Sequence, residues 1–150
     1  MTVGAMSDRP NWVGTILEWR WTWLAARTIL TSAYLYGGLV KVTDFKAAIA
    51  EQEHFGLHPG WLWAAIAIIV ELGGTVLVIS GRLVWLGAGA IGALTAIATL
   101  VANNFWTMEG HERFMAANTF LEHLGLIAGF VLAAAMSENR ANRIPKEEEA

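Results

Sequence analysis

Glu71 lies near the middle of an apolar stretch, Trp61 to Ser80, that is otherwise uninterrupted. A helix crosses a bilayer with roughly 20 apolar residues. An ionisable side chain at the centre of such a helix costs roughly 2.5–3.5 kcal/mol on insertion scales, so it faces a protein interior and finds a partner there. One carboxylate at this depth therefore constrains the chain to a helical membrane protein with polar groups inside its bundle. It also marks where function is to be sought.

Composition supports that reading. Of the 150 residues, 55% are hydrophobic and only 15% charged, against about 25% charged in soluble domains. The length is that of one domain. A net charge of −3 without a basic block makes nucleic acid an unexpected partner. The absence of cysteine excludes disulfide relays, thiolate metal sites and iron–sulfur clusters on this chain. Met1 to Arg20 has no apolar core ahead of a small-residue cleavage site, so no cleaved signal is expected.

Four apolar segments, about Trp21–Val40, Trp61–Ser80, Val84–Ala102 and Ala117–Met136, each have spanning length. Helices satisfy every backbone group within lipid, and these runs are too long and continuous for barrel strands. The expected fold is all-α, an integral membrane four-helix bundle of two antiparallel hairpins. The turn Gly81-Arg82-Leu83 joins the second and third spans; longer polar connections, Lys41–Gly60 and Asn103–Ala116, join the other pairs. Three regions follow: an N-terminal segment, 1–20; the helical domain, 21–136; and a charged tail, 137–150, expected to be disordered.

Basic residues set the orientation. Arg9, Arg20, Arg82, Arg140, Arg143 and Lys146 fall on one side; Lys41, Lys46 and Arg113 fall on the other. The surplus places both termini and the short turn inside. Trp61, Trp63 and Trp106 then lie at the outer interface and Trp85 at the inner one, the level that amphipathic rings favour. Trp12, Ile16, Trp19 and Trp23 recur at helical spacing. They form either an interfacial amphipathic helix or a plain aromatic belt.

Each span carries a polar or small stripe: Arg27, Thr31, Tyr34, Gly38 and Lys41; Glu71 and Gly74; Ala88, Gly92, Thr95, Thr99 and Asn103; Asn118, Glu122, Gly125 and Gly129. Small residues let helices approach, and Thr and Asn bond across them, so the stripes are expected to converge. Arg27 either joins this interior or snorkels to headgroups. Glu71 is either functional or a structural partner of Arg27, Lys41 or an asparagine. Thr119-Phe120-Leu121-Glu122 fits a helix capping box, which gives Glu122 a structural alternative to a site role. Gly87, Gly89 and Gly92 signal close packing and not a phosphate loop.

The outer face collects His54, His58, His111 and His123 with Glu51, Glu53, Glu109, Glu112 and Glu122. Histidine with carboxylate suits several divalent metals. No HExxH or comparable ligand spacing occurs, so solvated histidines are the expectation and no metal is assigned. Asn103-Asn104-Phe105-Trp106-Thr107-Met108-Glu109-Gly110 packs aromatic, amide and carboxylate groups where the third span exits. An apolar wall with a few placed polar groups is the general form of a small-molecule site. A quinone ring needs such a wall with a donor to each carbonyl oxygen, from Asn103, Asn104, Trp106, His111 or His123. The structural alternative is an aromatic turn that simply ends the helix.

Four motifs occur in order. Gly37-Gly38-Leu39-Val40-Lys41-Val42-Thr43-Asp44-Phe45 resembles the "SGLxKLxDF" exit of the first helix in the DoxX family. Val70-Glu71-Leu72-Gly73-Gly74 resembles its "VELGGG", Asn104-Phe105-Trp106 its "HDFW", and Asn118-Thr119-Phe120-Leu121-Glu122-His123-Leu124 its "NFLKNL". The resemblance runs from about Arg27 to Ala135. It implies a four-helix bacterial inner-membrane protein; relatives are tied to a membrane thiosulfate–quinone oxidoreductase and to assemblies that handle oxidative stress. Carried over by position, the motif residues are Lys41, Asp44, Glu71, Phe105, Trp106 and Asn118. This chain departs from the pattern at Glu122-His123, where the family has Lys-Asn, and at Asn103-Asn104, where it has a histidine before Phe-Trp.

The chain has no cysteine and no mid-membrane histidine pair to ligate haem. Any part in quinone chemistry is therefore that of a binding or anchoring subunit beside a partner's redox centre. The expected function is a DoxX-like subunit of a membrane oxidoreductase-type complex that holds a quinone or similar apolar molecule at an outward site. The candidate residues are Lys41, Glu71, Asn103, Asn104, Trp106, Glu109, Asn118, Glu122 and His123, and the expected partners are membrane lipid and other membrane subunits. The alternative is an accessory subunit that binds only lipid; a small permease ranks third, because no broken helix or inverted repeat is visible.

Overall fold

The computed structural model describes residues 10–141, and these are helical throughout apart from short turns. Helix α1 (Asn11–Glu18) breaks from α2 (Arg20–Thr43) at Trp19, whose ψ of 129° is extended. The Trp23 indole N–H donates to the Leu17 carbonyl at 2.8 Å and ties the two helices together. Trp12, Ile16, Leu17 and Trp19 are all exposed, leaving α1 with a broad apolar surface.

Helix α2 ends where Asp44 becomes the cap of the next helix. Its carboxylate accepts from the Ala47 N–H at 3.0 Å, satisfying one of the orphan donors at a helix start. The helix that follows, α3 (Phe45–His54), lies within the first long polar connection, whose polarity gives no sign of a helix. Ala48 of α3 and Gly60 are buried. A Cβ at Gly60 would sit 2.6 Å from Cγ of Glu53 and 2.9 Å from the Ile49 carbonyl. Glycine at this point lets α3 close over the start of the second rod.

That rod runs continuously over Gly60–Ser80. It comprises α4 (Gly60–Ile68), a π-turn (Ile69–Gly73) and α5 (Gly74–Ser80). The π-turn has no signature in the sequence, and it holds Glu71. Gly81 ends the rod in the left-handed conformation, φ 76°. Helix α6 (Val84–Ala102) returns, a 3₁₀ turn (Phe105–Thr107) follows, and α7 (Gly110–Ala141) closes the chain.

Two expectations about the last helix are corrected. It begins at Gly110, seven residues before the expected start, so Thr119 is mid-helix and the capping-box reading fails. The Thr119 hydroxyl donates to the Met115 carbonyl one turn back at 3.1 Å, which satisfies it without a helix end. The helix also continues through Ala141, so the first residues of the tail expected to be disordered are ordered. The remainder of that tail, with Arg143 and Lys146, and Arg9 at the other end lie outside the described residues.

Among the described residues, three helical stretches are long and apolar enough to cross a membrane: Gly60–Ser80, Val84–Thr107 and Gly110–Glu138. Helix α2, with 24 residues, has spanning length at roughly 1.5 Å per residue, but it is less apolar and carries Arg20, Arg27 and Lys41. It packs against α4, the π-turn, α5 and α7.

The core lies where α5, α6 and α7 meet: Val78, Ala88, Ile91 and Phe130 are buried together, with Leu30 and Tyr34 of α2 packed against them. Close approach between α5 and α6 depends on Gly74 and Gly87. A Cβ at Gly87 would lie 2.7 Å from the Gly74 carbonyl oxygen, and one at Gly74 would lie 2.7 Å from Cγ1 of Ile91. By contrast, Gly89 and Gly92 have nothing within 4 Å of a built Cβ, so of the three glycines of α6 only Gly87 acts as a packing glycine.

Candidate functional site

The buried acid has a cationic partner. Lys41 Nζ donates to both carboxylate oxygens of Glu71, at 3.0 and 3.3 Å. The Lys41 and Glu71 side chains are only 17% and 11% exposed. Two local features permit the pair. A helical side chain leans toward the N-terminus of its helix, so Lys41 reaches back along α2. Gly37, one turn earlier, borders the pair: a Cβ there would lie 3.6 Å from Nζ and 3.5 Å from Glu71 Oε2, in ordinary van der Waals contact. Gly38 brings the backbones together, since a Cβ on it would sit 2.7 Å from Leu72 Cδ2. Arg27, a rival partner for Glu71, lies a long way down α2 at the other end of the rod, with Nη1 2.6 Å from a Cβ built on Gly81.

A second set of polar contacts joins α6 to its neighbours. The Tyr34 hydroxyl meets Thr95 Oγ1 at 2.6 Å, and its ring packs edge-on against Phe130 at 5.5 Å between centroids. Thr99 Oγ1 meets His123 Nδ1 at 2.6 Å. Both threonines are buried.

Directly beyond Thr99, where α6 ends and the chain turns into α7, lies an aromatic corner. Phe105 and Trp106 of the 3₁₀ turn pack edge-on, 5.3 Å apart, and both rings face Phe120 of α7, at 5.3 and 6.5 Å. Phe120 and His123 are three residues apart on one helix and share a face. Thr99 and Asn103 are one turn apart on α6. Asn103 and Asn104 are half-buried here. Their backbone carbonyls accept from Phe105 N–H at 2.8 Å and Thr107 N–H at 3.0 Å, while their side-chain amides make no hydrogen bond with any described residue.

Of the residues singled out from sequence, Asn103, Asn104, Trp106 and His123 thus stand at one corner, and Lys41 and Glu71 form a separate pair on α2 and the π-turn. The others stand apart. Glu109 is exposed in the connection. Asn118 and Glu122 are exposed on α7, with a long 3.5 Å contact between them. At about 100° per residue they lie on nearly the opposite side of α7 from Phe120 and His123. The expectation that Asn118, Glu122 and Gly125 line the interior is therefore corrected: all three face outward. Phe105 was singled out with its segment, whereas Thr99 and Phe120 were missed as corner residues. The turn Phe105-Trp106 and the shared face of Phe120 and His123 carried the available signal.

One open groove of ≈ 590 Å³ lies elsewhere, between the second rod and α6, lined by Val70, Gly73, Leu77, Leu86, Gly87 and Ala90 among others. Its lining has apolar side chains and glycines only. None of the candidate site residues borders it.

The DoxX family model matches residues 22–104, more than half of the chain. The chain belongs to the DoxX family. The matched region holds the Lys41–Glu71 pair and ends at Asn104, so the aromatic turn and α7 lie beyond it. No curated protein and no solved structure matches the chain. Family and apolar helices together make this DoxX protein a membrane protein.

Proposed function

We propose that this DoxX protein is a subunit of a membrane oxidoreductase-type assembly that holds a quinone or similar apolar ring at its outer α6–α7 corner. The observation that carries the reading is the corner itself: three aromatic rings beside two amides and one imidazole. A ring-shaped apolar ligand needs that combination of wall and oriented polar groups. The chain offers no thiolate, so electrons would be exchanged with a redox centre on a partner and not on this chain. In this reading α2 is a fourth span, both termini face the cytoplasm, α1 lies in the inner interface, and the bilayer is the bacterial inner membrane.

The test is titration of the purified protein in mild detergent with a short-chain quinone analogue. Saturable binding is expected, and Trp106→Ala should weaken it about tenfold, equivalent to ~1.4 kcal/mol. Absence of saturable binding refutes the site.

A second reading is favoured by one observation. The outward face of α7 is hardly buried and carries Asn118 and Glu122. A carboxylate on a spanning helix is costly next to lipid, which fits an accessory subunit whose α7 is covered by another membrane protein. Mass spectrometry of the complex extracted in mild detergent separates the two. Stoichiometric quinone without a protein partner favours the first reading; a large stable complex without quinone favours the second.

A further inference from the structure

The hydroxyl protons along α6 can be counted. Thr95 Oγ1 lies 2.8 Å from the Ile91 carbonyl oxygen, and Thr99 Oγ1 lies 2.6 Å from the Thr95 carbonyl oxygen. Two oxygens this close have a proton between them, and a carbonyl has none to give, so each threonine donates its single proton to its own helix. Thr99 Oγ1 is also 2.6 Å from Nδ1 of His123. That contact needs a second proton, and only the imidazole can supply it. His123 therefore carries its proton on Nδ1. The same count makes Tyr34 the donor to Thr95 at 2.6 Å, so the ladder is consistent at both rungs.

A neutral imidazole has one donor and one acceptor nitrogen, and the bond made by one fixes the character of the other. With Nδ1 donating to Thr99, Nε2 is an acceptor. It makes no hydrogen bond with any described residue, and the ring is half-buried on the face of α7 that carries Phe120. From sequence His123 is one of several candidate donors to a quinone carbonyl. The ladder reverses that polarity.

We propose that His123 is a specificity-determining residue of the outer corner and that its Nε2 selects an apolar ring bearing a hydroxyl, a phenol or hydroquinone, over the corresponding carbonyl form. This rests on the reading that the corner holds a quinone-type ring. A ligand hydroxyl donates to Nε2, whereas a ligand carbonyl would place two lone pairs against each other. Asn103 and Asn104 stand at the same corner with amides that offer both donors and acceptors, so the choice between the two forms falls to the histidine.

Two measurements on the full chain test this. First, nitrogen-15 NMR of the histidine-labelled protein at mildly alkaline pH should show the His123 proton on Nδ1. A proton on Nε2, alone or with one on Nδ1, overturns the proposal. Second, a short-chain hydroquinone and its matching quinone are titrated anaerobically into wild type, Thr99→Val and Thr99→Ser. Wild type should favour the hydroquinone by about tenfold, the step of one hydrogen bond. Thr99→Val removes the acceptor that holds the Nδ1 proton, frees the tautomer, and should reduce the preference to within about threefold. Thr99→Ser keeps the hydroxyl and should restore the preference. Equal affinity of wild type for both forms sinks this proposal alone. Binding of neither form sinks the corner as a ring site as well.

Discussion

Removing the ammonium of Lys41 while keeping its stem tests whether the Lys41–Glu71 pair closes the bundle. At 3.0 Å between Nζ and Oε1, the Coulomb attraction at an effective dielectric of about 20 is roughly 5.5 kcal/mol. Most of that offsets the desolvation of two mostly buried charges, so the intact pair is worth little over an apolar pair of the same shape. Breaking it is another matter, because the survivor stays buried without a partner, at about 3–5 kcal/mol. Lys41→Met should therefore destabilise by about 3–5 kcal/mol. Glu71→Gln should cost less, because the longer lysine stem can carry its charge toward the headgroups. The double variant should return to within about 2 kcal/mol of wild type. Reversible unfolding in mixed micelles, read by tryptophan fluorescence, gives the four free energies of the cycle. Single changes that each cost under about 1 kcal/mol, or a double variant equal to their sum, refute the argument that the two charges satisfy each other.

Three further outcomes follow from the geometry. Gly87→Ala should destabilise by about 1–3 kcal/mol, because the new Cβ meets a backbone carbonyl at 2.7 Å that cannot rotate away; Gly89→Ala, with nothing within 4 Å, serves as the control and should be neutral or slightly stabilising in the same unfolding assay. Phe130→Ala removes a ring that is 1% exposed and should cost about 3–5 kcal/mol, with loss of the monodisperse peak in size-exclusion chromatography at raised temperature. A reporter active only after export should be silent when fused to the C-terminus, since the basic surplus lies on the terminal side; an active fusion reverses the assigned orientation.

The sequence made the burial of Glu71 legible because the cost of a bare carboxylate in lipid leaves no other arrangement. It did not identify the partner. Arg27, Lys41 and an asparagine were all candidates until the chain was folded. Lys41 is the partner because its side chain reaches back along α2 to Glu71, where Gly38 brings the two backbones together, while Arg27 lies at the turn around Gly81. Stretches long enough to span were legible from their length and apolarity, but their ends were not. Helix α3 is polar enough to read as a loop and is stabilised by Asp44 at its start and by Ala48 packing near Gly60. Thr119-x-x-Glu122 has the form of a cap, yet a threonine can serve its own helix by donating to the carbonyl one turn back, and the helix simply passes through. The π-turn at Glu71 left no trace, because its extra residue changes the backbone bonding and not the residue types.

The two polar clusters differ in a way that separates structure from recognition. In the charge pair each group meets the other: both oxygens of Glu71 face Lys41, and Gly38 brings the helices together beside them. The corner between α6 and α7 is the reverse case. Its backbone groups are satisfied within the turn, and Thr99 is satisfied by its own helix and by His123. The amides of Asn103 and Asn104 and the second nitrogen of His123 keep their bonding capacity beside three aromatic rings. Buried polar groups in a core are mostly paired; here the Thr75 hydroxyl is an exception. In the proposed function, the half-buried polar groups that stay unpaired next to the apolar wall are the ones that meet a molecule from outside the chain. On the function proposed above, Glu71 closes the bundle and the recognition chemistry belongs to α6 and α7.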